Sequence, residues 1–278
     1  KPPVFEAFDA LGQGRDQVLG EPSRVEALAM DGSRVAYDVA AGYAAHRTCN
    51  KVYSWNVGTG ATTRVSGSKT CEADSTSTGT GVRELAIAGK RVAWIVNEGG
   101  NSESDDYLYV ASLPKPKEHR LASAVRIGEP GGVLAGPVIG DLVGGRGYVG
   151  VNRWTVNEAG TIYFPRLQTI ARGLRTIAAG PETMDAQATD GKRIAVLTRD
   201  GVVALYSTAG RLLFTVTPRS PTEVGLRGDY LAVLTTADTL EVYSSHSGRL
   251  LHTWRAAHGA RSLDVSSGLA AYAAERAG

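Results

Sequence analysis

An apolar run, a turn centred on Gly and a second run of small and branched apolar residues recur down this chain. The phrase reads Met30-Asp31-Gly32-Ser33-Arg34-Val35-Ala36-Tyr37 first, then Ile87-Ala88-Gly89-Lys90-Arg91-Val92-Ala93-Trp94. It returns at Val143-Gly144-Gly145-Arg146-Gly147-Tyr148-Val149 and most clearly at Asp190-Gly191-Lys192-Arg193-Ile194-Ala195-Val196-Leu197. Weaker copies stand at Arg227–Val233 and Ser266–Tyr272. The matching Gly residues lie roughly 40 to 57 positions apart, the period of a repeating four-stranded unit.

Each repeat cuts into four short strands. In the unit from about 182 to 220 they are Met184–Thr189, Arg193–Thr198, Val202–Ser207 and Arg211–Val216, joined at Asp190-Gly191, Asp200-Gly201 and Ala209-Gly210. Gly-containing turns of this kind favour tight hairpins, so neighbouring strands are antiparallel. The next unit, 221–259, repeats the plan with Glu223–Leu226, Tyr230–Leu234, Leu240–Ser244 and Leu250–Trp254. The second strand of each unit lacks polar alternation, which suits burial on both faces. One four-stranded sheet cannot cover its own apolar faces, whereas sheets stacked radially about an axis can. The expected fold is all-β, a β-propeller of four-stranded antiparallel blades. Five blades are legible, about 24–80, 81–132, 133–181, 182–220 and 221–259, with an incomplete sixth at 260–278. The segment 1–23 is expected either to pair with that last blade or to stand beside a chain that continues past Gly278.

Composition narrows the class without choosing an activity. Apolar residues make up 42% of the chain, ample for a core, and the net charge of +2 comes from scattered Lys and Arg. That balance argues against nucleic acid or an anionic membrane as a partner held by charge. No apolar run approaches the length of a transmembrane helix. The chain opens at Lys1-Pro2-Pro3 without Met, as a removed export signal or a cleaved tag would leave it. Its two cysteines, Cys49 and Cys71, lie in one polar Thr/Ser/Gly-rich segment. A disulfide between them would close a loop of about 20 residues and contribute roughly 3 kcal/mol. Such a bridge implies an oxidising, extracytoplasmic compartment.

A third strand that ends in Tyr or Trp and then a Gly turn appears at Tyr53–Gly60, Tyr206–Gly210 and Tyr243–Gly248. Together with Asp190–Leu197 and Asp200–Leu212, these phrases resemble bacterial propellers of the WD40-like and TolB-like kind. The resemblance covers the chain from about Arg24 onward and implies an extracytoplasmic bacterial propeller. Its motifs specify a fold rather than an activity. The Gly-His and Trp-Asp pairs of eukaryotic WD40 blades are absent.

In such an architecture the residues just after each second strand converge at one end of the axis. They are Asn97 and Glu98, Arg153 and Trp154, Arg199 and Asp200, and Thr236 and Asp238. Polar and aromatic groups meeting in a concavity are ligand-site candidates; the plainer alternative is a set of solvated loop residues. Arg153-Trp154 could stack on a sugar or a partner side chain, or Trp154 could plug a neighbouring blade. The stretch Asn97–Asp106 concentrates oxygen donors that suit Ca²⁺, but without the alternation of an EF-hand. It reads as a mobile acidic insertion between two strands, and no metal or other cofactor is expected. His46, His119, His246, His252 and His258 show no metal-type spacing. No Gly-x-Ser-x-Gly elbow or ordered triad is present.

Two functions fit these observations. The first is a secreted or periplasmic platform that binds a protein or small molecule, expected as a monomer, without catalysis of its own. The second is a propeller hydrolase or lyase, with Glu98, Asp200 and Asp238 as acid or base and Arg153 or Arg199 stabilising negative charge.

Overall fold

A computed structural model describes residues 5–7, 17–20, 27–41, 49–67, 79–170, 173–179, 184–258, 260–266 and 269–273. Two compact units divide the chain, Lys1–Tyr163 and Phe164–Gly278.

In the first unit, β1 (Phe5–Ala7) and β2 (Gln17–Gly20) pair with each other in a sheet of their own. The first four-stranded sheet follows in chain order as β3 (Leu28–Asp31), β4 (Arg34–Ala41), β5 (Cys49–Asn56) and β6 (Ala61–Arg64). The second is β7 (Gly79–Ala88), β8 (Arg91–Gly99), β9 (Glu103–Ser112) and β10 (His119–Ile127). The third is β11 (Gly136–Gly145), β12 (Tyr148–Val156), β13 (Ile162–Ile170) and β14 (Leu174–Ala179), and the division between the units falls inside β13.

The second unit continues with β15 (Met184–Thr189), β16 (Arg193–Thr198), β17 (Val203–Ser207) and β18 (Leu212–Val216). The next sheet is β19 (Pro221–Arg227), β20 (Tyr230–Thr235), β21 (Thr239–Ser244) and β22 (Leu250–Arg255). Last come β23 (Arg261–Ser266) and β24 (Leu269–Ala273), a two-stranded sheet among the described residues. The five four-stranded sheets are antiparallel meanders of the expected kind, each strand beside its sequence neighbour.

Burial explains the strand patterns. Val92–Val96 of β8, Ile194–Thr198 of β16 and Leu231–Thr235 of β20 are continuously buried, as strands covered on both faces must be. In the first unit, Trp94, Val92 and Val96 pack with Ala36, Val52 and Val65 of the preceding sheet. In the second, Leu205, Val216, Leu231 and Val233 form the corresponding layer. The last strand of each sheet is much more exposed, as in β10 and β22.

Polar ties join neighbouring sheets where the apolar layers end. Asp31 Oδ2 accepts the backbone N–H of Gly89 at 2.7 Å and of Arg146 at 2.9 Å, so one carboxylate oxygen holds turns of three sheets. In the second unit Asp190 accepts the backbone N–H groups of Lys192 and Arg193 at 2.9 and 2.8 Å. It also pairs with the Arg193 guanidinium at 2.6 Å. Arg193 then reaches Ser245 and the Gly228 carbonyl of the next sheet.

Two expectations are corrected here. Asn97–Asp106 is not an acidic loop: β8 runs to Gly99, β9 starts at Glu103, and their ladder continues to the pair Gly99 and Ser104. Only 100–102 turns, and Asn97 donates to Ser104 and Asp106 across the continued ladder. Arg153 and Trp154 likewise lie within β12 rather than after it, opposite Ile139 and Val138. Cys49 opens β5, but its side chain and all of Cys71 lie outside the described residues, as does His46.

Candidate functional site

A repeated irregularity in the first strand of successive sheets organises the polar residues. The β7–β8 register shifts between Val82 and Glu84, opposite Val96 and Ile95. In β15 it shifts between Met184 and Ala186, opposite Thr198 and Leu197. In β19 it shifts between Pro221 and Glu223, opposite Thr235 and Leu234. β11 and β23 shift at the matching place, between Ile139 and Leu142 and between Arg261 and Asp264. A bulge adds residues to one strand, bends it and re-aims side chains. The residues added include Arg83, Gly140, Asp141 and Thr222, each against the second strand of its sheet.

In the first unit this brings a charged cluster together. Asp106 is fully buried, and its carboxylate lies 3.8 Å from Arg83 and 3.7 Å from Arg126. Asn97 Nδ2 donates to Asp106 Oδ1 at 2.9 Å, Ser104 Oγ at 3.0 Å and the Asp105 carbonyl at 3.3 Å. Arg126 donates to Ser104 Oγ at 2.9 Å, and Arg83 donates across to the Ile139 carbonyl of β11. Next to Arg83, burial and the Asp141 carboxylate push Glu84 up to about 7, against the opposing pull of Arg83. The buried Asn152 reaches Asp141 at 3.5 Å. Gly140 is required here by space, because a Cβ would stand 2.1 Å from both Asn152 Oδ1 and the Trp154 ring. Trp154 therefore lies over the bulge beside Asp141, half-buried, rather than projecting from a loop.

The other sequence candidates serve more local roles. Glu98 stands opposite Asp105 across the β8–β9 ladder. In the second unit, Arg199 and Asp200 occupy the exposed β16–β17 turn, closed by the Gly201 N–H to the Thr198 carbonyl. Thr236 is exposed, and its N–H donates to the Ser220 carbonyl. Asp238 has φ of 54° and holds His258 Nδ1 at 2.8 Å. That Asp–His pair spans 20 residues and gave no spacing cue. Sequence reasoning also missed Arg83, Glu84, Asp141 and Asn152. Their only cue is a polar residue interrupting a strand's alternation.

Chemically, the first-unit cluster can hold a proton near neutrality on Glu84 and offers carboxylate, amide and indole surfaces to a ligand. Among the described residues no three His, Cys, Asp or Glu side chains group as metal ligands. No described helix is long and apolar enough to cross a membrane.

No protein-family model and no curated protein sequence matches the chain. Solved structures do resemble it. The computationally designed Ika8 protein aligns over 92% of this chain and 71% of its own, at 14% identity and a TM-score of 0.54. Sqt1 of Saccharomyces cerevisiae aligns over 94% and 70%, at 10% identity and a TM-score of 0.50. BamB from Moraxella catarrhalis aligns over 97% and 85%, at 13% identity and a TM-score of 0.45. At such identities the likeness concerns the fold alone. Five antiparallel four-stranded sheets, with the likeness to Ika8 and Sqt1, give the chain a WD40-like β-propeller fold.

Proposed function

We propose that this chain is a secreted or periplasmic bacterial propeller that acts as a binding platform for a protein or small ligand. In this reading it works as a monomer and without nucleic acid. One observation carries it: bulges recur in successive first strands, and in the first unit they set Arg83 and Asp141 against the second strands of neighbouring sheets. A scaffold whose bulges re-aim polar side chains offers a surface for recognition. The placement outside the cytoplasm rests on the resemblance to extracytoplasmic propellers and on the proposed Cys49–Cys71 bridge.

The test is a thermal-shift screen of the oxidised protein against divalent cations, sugars, nucleotides and small acids, with a chelator control. A ligand that binds only the folded state raises the melting temperature by mass action. A shift that disappears in Asp141→Asn supports a small-ligand site in the first unit. A flat screen followed by an empty pull-down would sink the platform reading.

A second reading is favoured by Glu84. A carboxyl held near 7 beside a second carboxylate has the acid–base character of a hydrolase or lyase. The original acidic candidates fit that role less well, since Asp238 is engaged by His258. Turnover that vanishes in Glu84→Gln while the melting temperature holds would favour it.

A further inference from the structure

The two faces of the β8–β9 hairpin differ. One carries Asn97, Ser104 and Asp106 of the charged cluster; the other carries a row of aromatic and acidic side chains. On that second face Trp94 stacks on Tyr109 at 5.7 Å with a 17° interplanar angle, and Tyr107 follows at 6.5 Å. The Tyr107 hydroxyl donates to Asp105 Oδ2 at 2.8 Å, and Glu98 stands opposite Asp105. Asp105 Oδ1 is buried and accepts no hydrogen bond among the described residues.

A guanidinium already occupies this shelf. Arg120 Cζ sits 5.2 Å from the centre of the Tyr107 ring, and the same group hydrogen-bonds Tyr109. Arg120 is exposed and belongs to β10, the last strand of its sheet, where the register shifts between Arg120 and Ala122. The ladder is thus already broken beside it, and its side chain can swing away without loss of strand pairing.

We propose that the partly exposed end of this face, at Tyr107, Asp105 and Glu98, is a recognition site for an arginine side chain of a partner polypeptide, and that Arg120 is its internal occupant, displaced on binding. Three features carry the inference. An aromatic face attracts a planar cation. The Asp105 and Glu98 carboxylates add negative potential that draws a guanidinium. Arg120 demonstrates the fit. Burial first, then the bond to Asp105 and the Glu98 charge, push Tyr107 upward against the pull of Arg120. The proposal concerns the opposite face from the bulge cluster and does not depend on the reading of that cluster.

The experiment titrates acetyl-Gly-Arg-Gly-amide, and its neutral citrulline counterpart, into the whole chain and into Arg120→Ala by calorimetry at low ionic strength. Removing the internal competitor is expected to tighten the arginine peptide about tenfold, consistent with one cation–π contact. The citrulline peptide should bind neither protein measurably, and added salt should weaken the arginine peptide. Affinity should fall back when Asp105→Asn is added to Arg120→Ala. Equal affinity for parent and Arg120→Ala, or equal affinity for the two peptides, overturns the proposal. Arg120→Gln, which keeps the aliphatic stem, serves if the alanine variant melts differently from the parent.

Discussion

Glu84 and Asp190 are two carboxyls pushed in opposite directions by their surroundings, and acid should separate them. Glu84 is raised to about 7 by burial and by Asp141, so the folded chain holds its proton more tightly than the unfolded chain does. Its contribution is complete below its unfolded value and is lost as pH rises through about 7. Glu84→Gln should therefore be more stable than the parent at pH 8, with the gap closing towards pH 4, in urea melts at both. For Asp190, burial opposes the charge, but the hydrogen bonds from Arg193 and from two backbone N–H groups outweigh it and hold the carboxyl below its usual range. That stability is present above the unfolded value and lost as pH falls through the folded one. Asp190→Ala strands Arg193 between two sheets and should cost on the order of 3 kcal/mol at pH 7. In strong acid the difference from the parent should shrink.

At the scale of strands, the Gly turns and buried second strands made the meander legible. β15 and β16 end where their flanking turns place them, at Thr189 and Thr198. The bulges were not legible, because an added residue such as Thr222 leaves no mark beyond one displaced step in the alternation. The same blindness made Asn97–Asp106 look like a loop. Polar side chains that satisfy one another inside a ladder have the composition of a turn. Of the candidate site, the positions at the ends of the second strands could be read, but their partners on β7 and β11 could not. Those partners are set by register, and a one-residue slip moves every side chain to the other face. Deleting Thr222 would leave Pro221 and Glu223 opposite Thr235 and Leu234 as consecutive residues and so remove the bulge with its bend, whereas Thr222→Ala keeps it; the deletion should therefore destabilise more. Denaturant melts of the two variants compare the effects directly.

For the molecule as a whole, the repeat period announced a stack of sheets, while the division inside β13 had no counterpart in composition. The proposed Cys49–Cys71 bridge belongs to this scale, because it acts through the unfolded chain. Reduction should lower the melting temperature by the equivalent of roughly 3 kcal/mol. Two alkylatable thiols in the unreduced protein, with no change in melting, would remove it. The joint at Asp31 bears on how such an array can diversify. Its carboxylate grips main-chain N–H groups of Gly89 and Arg146, which every residue but proline possesses. The side chains on those turns are thus free of the fastening task, although the positive φ of Gly89 and Arg146 limits which residues can stand at those two positions. Asp31 itself has no such freedom, so the cost of variety at two turns is concentrated in one position on a third.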